Sequence, residues 1–94
     1  MARIEVKSLA TKRFWLLLHS LPVAIQDLAK KNYALWCRNP SHPSLRFRRL
    51  SGSSDRYTVR IGDHYRALAQ LSGDTIVWVW IGTHSEYDRL VGPD

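Results

Sequence analysis

"YTVRIGDHYRALAQLSGDTIVWVWIG", residues 57–82, is the stretch that decides the fold. Tyr57 to Ile61 alternates apolar and polar residues, Tyr65 to Leu71 is apolar with polar interruptions, and Thr75 to Ile81 is apolar almost throughout. Each run has strand length, and the segments between them, "GDH" and "SGD", are short enough for hairpins. Upstream, Leu45 to Leu50 has the same period of two and is separated from the next run by "SGSSD". Four strands in succession with short turns predict an antiparallel meander with one face covered by other elements. At Gly82 the apolar run breaks, and the pattern beyond it allows one or two helical turns through Leu90.

The covering elements lie towards the N-terminus. Arg3 to Lys7 alternates charge and apolar residues, consistent with a short first strand. Leu9, Phe14, Leu17 and Leu18 approach helical spacing in a segment that ends near Ser20, where His19 helps terminate the helix. Pro22 suits the first turn of a second helix, along which Ile25, Leu28, Ala29, Leu35 and Trp36 form an apolar stripe. The two helices form a hairpin. "CRNPSHPS", residues 37–44, carries two prolines and reads as a loop. The expected architecture is therefore α+β: an N-terminal strand and a helical hairpin packed on a twisted, mainly antiparallel sheet of four to five strands, then a short C-terminal helical turn.

Ninety-four residues fit a single domain, residues 1–94. The lone Cys37 excludes an internal disulfide, fits a reducing compartment and reads as a small buried hydrophobe. No signal peptide is evident, and no apolar stretch approaches the ~20 residues of a membrane helix. The chain therefore reads as soluble and cytoplasmic, without a membrane partner. A net charge of +6 and a pI near 10.0 point to a polyanionic partner.

Between Asp27 and Asp55 there is no acidic residue, while Lys30, Lys31, Arg38, Arg46, Arg48 and Arg49 lie there. Strand alternation places Thr58 and Arg60 opposite Tyr57, Val59 and Ile61, and places His64, Arg66 and Leu68 opposite Tyr65, Ala67 and Ala69. With the helices on the Tyr57 side, the other face is rich in arginine. That face is either a solvated surface or a phosphate-binding one, to which guanidinium forks are suited. His42 and His84 fall at its edges. None of the histidines has metal-ligand spacing, so no metal or cofactor is expected. RNA cleavage needs none: a base takes the 2′-hydroxyl proton, cations stabilise the phosphate, and an acid protonates the leaving 5′-oxygen. Trp78 and Trp80 fall on one face of the last strand, either packed in the core or offered for base stacking. Ser-His-Asp spacing, glycine-rich phosphate loops and paired carboxylates are absent.

In this order, "NPSHPSLRFRRL", "YTVRIGDHYRAL" and "GDTIVWVWIGTHSEYDRL" resemble the RelE/ParE toxin superfamily of type II toxin–antitoxin systems. The resemblance covers nearly the whole chain and is most specific from Asn39 to Leu90. It implies a toxin held inactive by an acidic or amphipathic antitoxin, and, in RelE-like members, a metal-independent, ribosome-dependent endonuclease acting on messenger RNA. It also implies roles by position. Arg60 resembles the arginine that contacts the scissile phosphate, and Arg46, Arg48 and Arg49 stand in the place of the catalytic lysines and arginines. His84 after "GT" and His42 before proline resemble the histidines of the YafQ-like branch. Tyr87 lies near the catalytic tyrosine of the RelE branch. Arg66 and His64 complete the RNA-binding set. Since arginine does not readily donate a proton, proton transfer rests on His84, His42, His64 or Tyr87. Two alternatives stand beside the nuclease: a ParE-like, non-enzymatic inhibitor of DNA gyrase, and a catalytically inactive protein that binds RNA or a partner.

Overall fold

The structure is a computed structural model that describes residues 7–50, 52 and 55–92. It is α+β, with a five-stranded, mainly antiparallel sheet. The elements are β1 (Lys7–Ala10), α1 (Lys12–His19), α2 (Val23–Arg38), a 3-10 turn (Pro43–Leu45), β2 (Arg48–Arg49), β3 (Arg56–Ile61), β4 (Tyr65–Ser72), β5 (Thr75–Thr83) and α3 (His84–Val91). The sheet order is β1-β5-β4-β3-β2. β2 through β5 form the expected meander, and β1 adds to its far edge parallel to β5, pairing Leu9 with Val77.

The helices cover the face that alternation assigned to them. Leu18, Ala29 and Trp36 pack on Val59, Ile61, Ala67, Ala69, Trp78 and Ile81. Trp36 meets Trp78 edge-on, with ring centroids 5.3 Å apart, and Phe47 stacks on Tyr57 at 5.1 Å. Among small-domain cores this is an aromatic one, and such contacts add orientation to the apolar burial. The opposite face has a smaller cluster, Leu50, Leu68, Trp80 and Tyr87, lying under α3.

Several boundaries differ from those read in the sequence. The expected strand over Arg3 to Lys7 lies outside the described residues except at Lys7, where β1 begins. Leu9 belongs to β1 and not to the first helix, because Thr11 caps that helix: its hydroxyl accepts from the Phe14 N–H at 3.1 Å. Pro22 is the N-cap of α2, in extended conformation, and α2 continues through Cys37 to Arg38. Cys37 is consequently exposed on a helix, not a buried hydrophobe. The strand expected from Leu45 shrinks to Arg48–Arg49. Leu45 instead closes the 3-10 turn and is fully buried, and Arg46 after it has φ 47°.

Two corrections concern the last strand. Gly82 is no break: β5 runs through it to Thr83, and α3 follows at once. A Cβ at Gly82 would stand 2.6 Å from Cζ2 of Trp80, so glycine here makes room for a tryptophan ring. The two tryptophans do not share a face. Ala69 pairs with Trp78 and Leu68 with Trp80, so Val79 is an extra residue, a β-bulge that resets the alternation. Trp78 therefore joins the helix-side core, where its indole donates to the Ser8 hydroxyl at 3.1 Å, and Trp80 joins the cluster beneath α3.

Candidate functional site

A cleft of about 290 Å³ opens on the face away from the helical hairpin, lined by Arg46, Arg48, Thr58, Arg60, Arg66, His84, Tyr87 and Asp88. The sheet supplies its floor. In the register, Arg48 faces Thr58 across β2 and β3, and Arg60 faces Arg66 across β3 and β4. Arg46 enters from the left-handed residue that ends the 3-10 turn. α3 forms the remaining wall.

α3 starts abruptly because its N-terminus is a capping box. The Thr83 hydroxyl accepts from the Glu86 N–H, and the Glu86 carboxylate accepts from the Thr83 N–H at 3.1 Å. These bonds hold the Glu86 carboxyl below its usual range. The His84 N–H donates to the His64 carbonyl at 2.7 Å, which ties the helix start to the β3–β4 turn. With the start anchored, helical spacing carries His84, Tyr87 and Asp88 along one face.

Arg60 is half-held: its Nε donates to the Gly62 carbonyl at 3.1 Å, and its guanidinium pairs with Asp63. Arg66 donates to the Tyr65 carbonyl at 2.7 Å. Its guanidinium pKa is pushed down, first by burial and then by the neighbouring Arg60 charge, while Tyr87 and Asp88 act in the opposite sense. Like charges directly opposite in a ladder are unfavourable, and the Asp63 carboxylate offsets this on the Arg60 side. The His84 Nε2 lies 3.2 Å from Asp88 Oδ1, one helical turn on.

Two hydroxyls complete the lining. Thr58 is 4% exposed and Tyr87 is 5% exposed, and neither hydroxyl has a hydrogen-bond partner among the described residues. Buried polar groups are nearly always satisfied; Nε1 of Trp36, in the helix-side core, is a third without a partner among the described residues, but the two hydroxyls share the arginine-lined cleft.

Of the residues singled out in the sequence, Arg46, Arg48, Arg60, Arg66, His84 and Tyr87 meet in this cleft. Three do not line it. His42 caps the 3-10 turn, its Nδ1 accepting from the Ser44 N–H at 3.2 Å. Arg49 sits opposite Tyr57, in the alternate register to Arg48. His64 contributes its carbonyl to the start of α3. Thr58 and Asp88 were not singled out. Alternation places Thr58 on the same face as Arg60, and Asp88 follows His84 by one helical turn, but neither spacing marks its residue as functional.

Among the described residues no cluster of His, Cys, Asp or Glu is placed to hold a metal ion, and no helix is long and apolar enough to cross a membrane.

The toxin RelE in the RelB–RelE antitoxin–toxin complex of Methanococcus jannaschii has the same fold. Its TM-score is 0.69 at 25% identity, over 86% of this chain and 96% of that one. The E. coli DinJ–YafQ toxin–antitoxin complex matches with TM-score 0.70 at 12% identity, over 88% of this chain and 97% of that one. A mutant of E. coli toxin RelE in the free state matches with TM-score 0.69 at 14% identity, over 94% of each chain. No curated protein sequence is significantly similar to the chain. The family profile of the ParE-like toxin domain matches residues 23–89, from the start of α2 to the last turn of α3. The chain belongs to the ParE-like toxin domain family, within the RelE/ParE superfamily of toxins.

Proposed function

We propose that this toxin is a metal-independent endoribonuclease that cleaves messenger RNA on the ribosome and so inhibits translation. The observation that carries the reading is the convergence of four arginines, a histidine and a buried tyrosine hydroxyl on one cleft. The arginines bind the phosphate at the bond to be cut and stabilise the charge that builds up as the 2′-oxygen attacks. His84 and Tyr87 divide the two proton transfers, one from the 2′-hydroxyl and one to the departing 5′-oxygen. Phosphorus gains the 2′-oxygen and loses the 5′-oxygen, leaving a cyclic phosphate and a free 5′-hydroxyl. Asp88 holds the His84 ring against α3 and balances its charge when it carries a proton.

The partner that restrains the toxin is a cognate antitoxin with an acidic or amphipathic segment. Support comes from the +6 charge and from relatives whose structures are toxin–antitoxin complexes. That segment lies over the arginine face or displaces the chain near Tyr87, and a small acidic protein that co-purifies with the toxin is its expected form.

Brief induction in cells followed by primer extension on messenger RNA tests the activity. Sharp, codon-phased cuts are expected from the wild type and not from His84→Gln, whose fold and antitoxin binding should persist. The rate loss expected for a positioned acid or base is about 10²–10⁴-fold. Intact messenger with DNA damage would point instead to gyrase poisoning, and growth without either effect to an inactive binding protein.

A further inference from the structure

Thr58 is the residue in the cleft whose environment the fold alone does not account for. It sits mid-strand in β3 with Arg48 across one side and Leu68 across the other, so the strand backbone about it is engaged in the ladder. Its side chain is 4% exposed and its hydroxyl is without a partner among the described residues. Valine has nearly the same shape, favours strands equally and brings no polar atom to be desolvated. A threonine at such a position weakens the free protein unless its hydroxyl is used.

The chemistry of the neighbours says how. Arg46, Arg48, Arg60 and Arg66 offer only donors, and the Tyr87 hydroxyl is likewise unpartnered. Asp88 is the carboxylate among the lining side chains, and it faces His84. A cleft so rich in donors is complementary to a ligand that brings several acceptors close together. We propose that Thr58 is a substrate-contacting residue: from the sheet floor its hydroxyl donates to a non-bridging oxygen of the phosphate at the bond being cut. This inference rests on the nuclease reading above. A donor held rigidly by a central strand is already in place when charge grows on that oxygen, so it acts on the chemical step more than on binding.

The experiment compares the full-length wild type with Thr58→Val and Thr58→Ser by three readouts: thermal midpoint, its shift with inorganic phosphate, and the single-turnover rate on ribosome-bound messenger. Thr58→Val should melt at or above the wild-type temperature, respond less to phosphate, and cleave about 10²-fold more slowly. Thr58→Ser should regain most of the rate. A valine variant with the wild-type rate and wild-type phosphate response overturns the proposal. So does a valine variant that loses both stability and activity with no rescue by serine, since that pattern belongs to a structural role. If the wild type does not cut messenger but phosphate stabilises it more than the valine variant, the nuclease reading fails and the anion contact stands. If phosphate stabilises neither protein and messenger remains intact, both fail.

Discussion

At the scale of single residues, burial separates the groups that shape the cleft from those that merely border it. Tyr87 illustrates the point. Its ring packs with Leu50, Leu68 and Trp80, while its hydroxyl remains unpartnered in the arginine-lined cleft. The ring serves the fold and the oxygen does not. Tyr87→Phe should therefore keep the thermal midpoint, or raise it by an amount corresponding to about 1 kcal/mol. Messenger cleavage should fall by about 10²–10⁴-fold. Loss of folding, or cleavage at the wild-type rate, would refute this separation of roles. Tyr87 was legible in the sequence through its resemblance in position to the catalytic tyrosine of the RelE branch. Thr58 was not, because a threonine in an alternating strand looks like any surface β-former. It is buried between Arg48 of β2 and Leu68 of β4, neighbours that only the assembled sheet brings to its sides. Cys37 shows the converse: its apolar character suggested burial, but the extra turn of α2 carried it to the surface.

At the scale of elements, the site depends on how β5 hands over to α3. The sequence made the hand-over visible as a change from apolar to polar residues, and placed it at Gly82. The real boundary lies after Thr83, because a capping box begins a helix whatever the hydrophobic pattern does. The bulge at Val79 was hidden for a related reason: Val77, Trp78, Val79, Trp80 and Ile81 are all apolar, so no polar residue marks the slip in register. The capping box also makes α3 sensitive to acid. Glu86 accepts bonds from the Thr83 N–H and hydroxyl, and its folded pKa is depressed below the unfolded one. A depressed carboxylate contributes stability above its unfolded pKa, and that contribution is lost as pH falls through the folded pKa. On acidification below the ordinary glutamate range, α3 should loosen and the thermal midpoint should drop. Glu86→Gln, which keeps an acceptor but cannot titrate, should flatten this part of the midpoint-against-pH curve. Thr83→Ala, measured near neutrality, should cost about 1 kcal/mol. An acid limb identical in wild type and Glu86→Gln would show that the capping carboxylate is not what couples α3 to pH.

At the scale of the whole molecule, the sheet divides two tasks between its faces. The period change near Leu45 and the short turns were enough to anticipate the meander and the side the helices would cover, since Val59, Ile61, Ala67 and Ala69 alternate with Thr58, Arg60, Arg66 and Leu68. The aromatic core on one side packs against β3 and β4, and the register of that pair sets the spacing of the arginines on the other. The consequence is electrostatic. A net charge of +6 favours any polyanion near the surface, but only guanidinium groups seated against phosphate would release counterions in proportion to the contacts made. Affinity for single-stranded RNA should fall steeply with salt, and removing one phosphate contact should reduce the log–log slope by about one unit. Arg48→Gln and Arg60→Gln should each produce that reduction. Lys31→Gln, on the helical hairpin away from the cleft, should weaken binding slightly and leave the slope near the wild-type value. Titrations of a labelled RNA at several salt concentrations distinguish the cases. Equal slopes for all four proteins would mean that the phosphates are not held in the arginine cleft and that the charge serves general attraction alone.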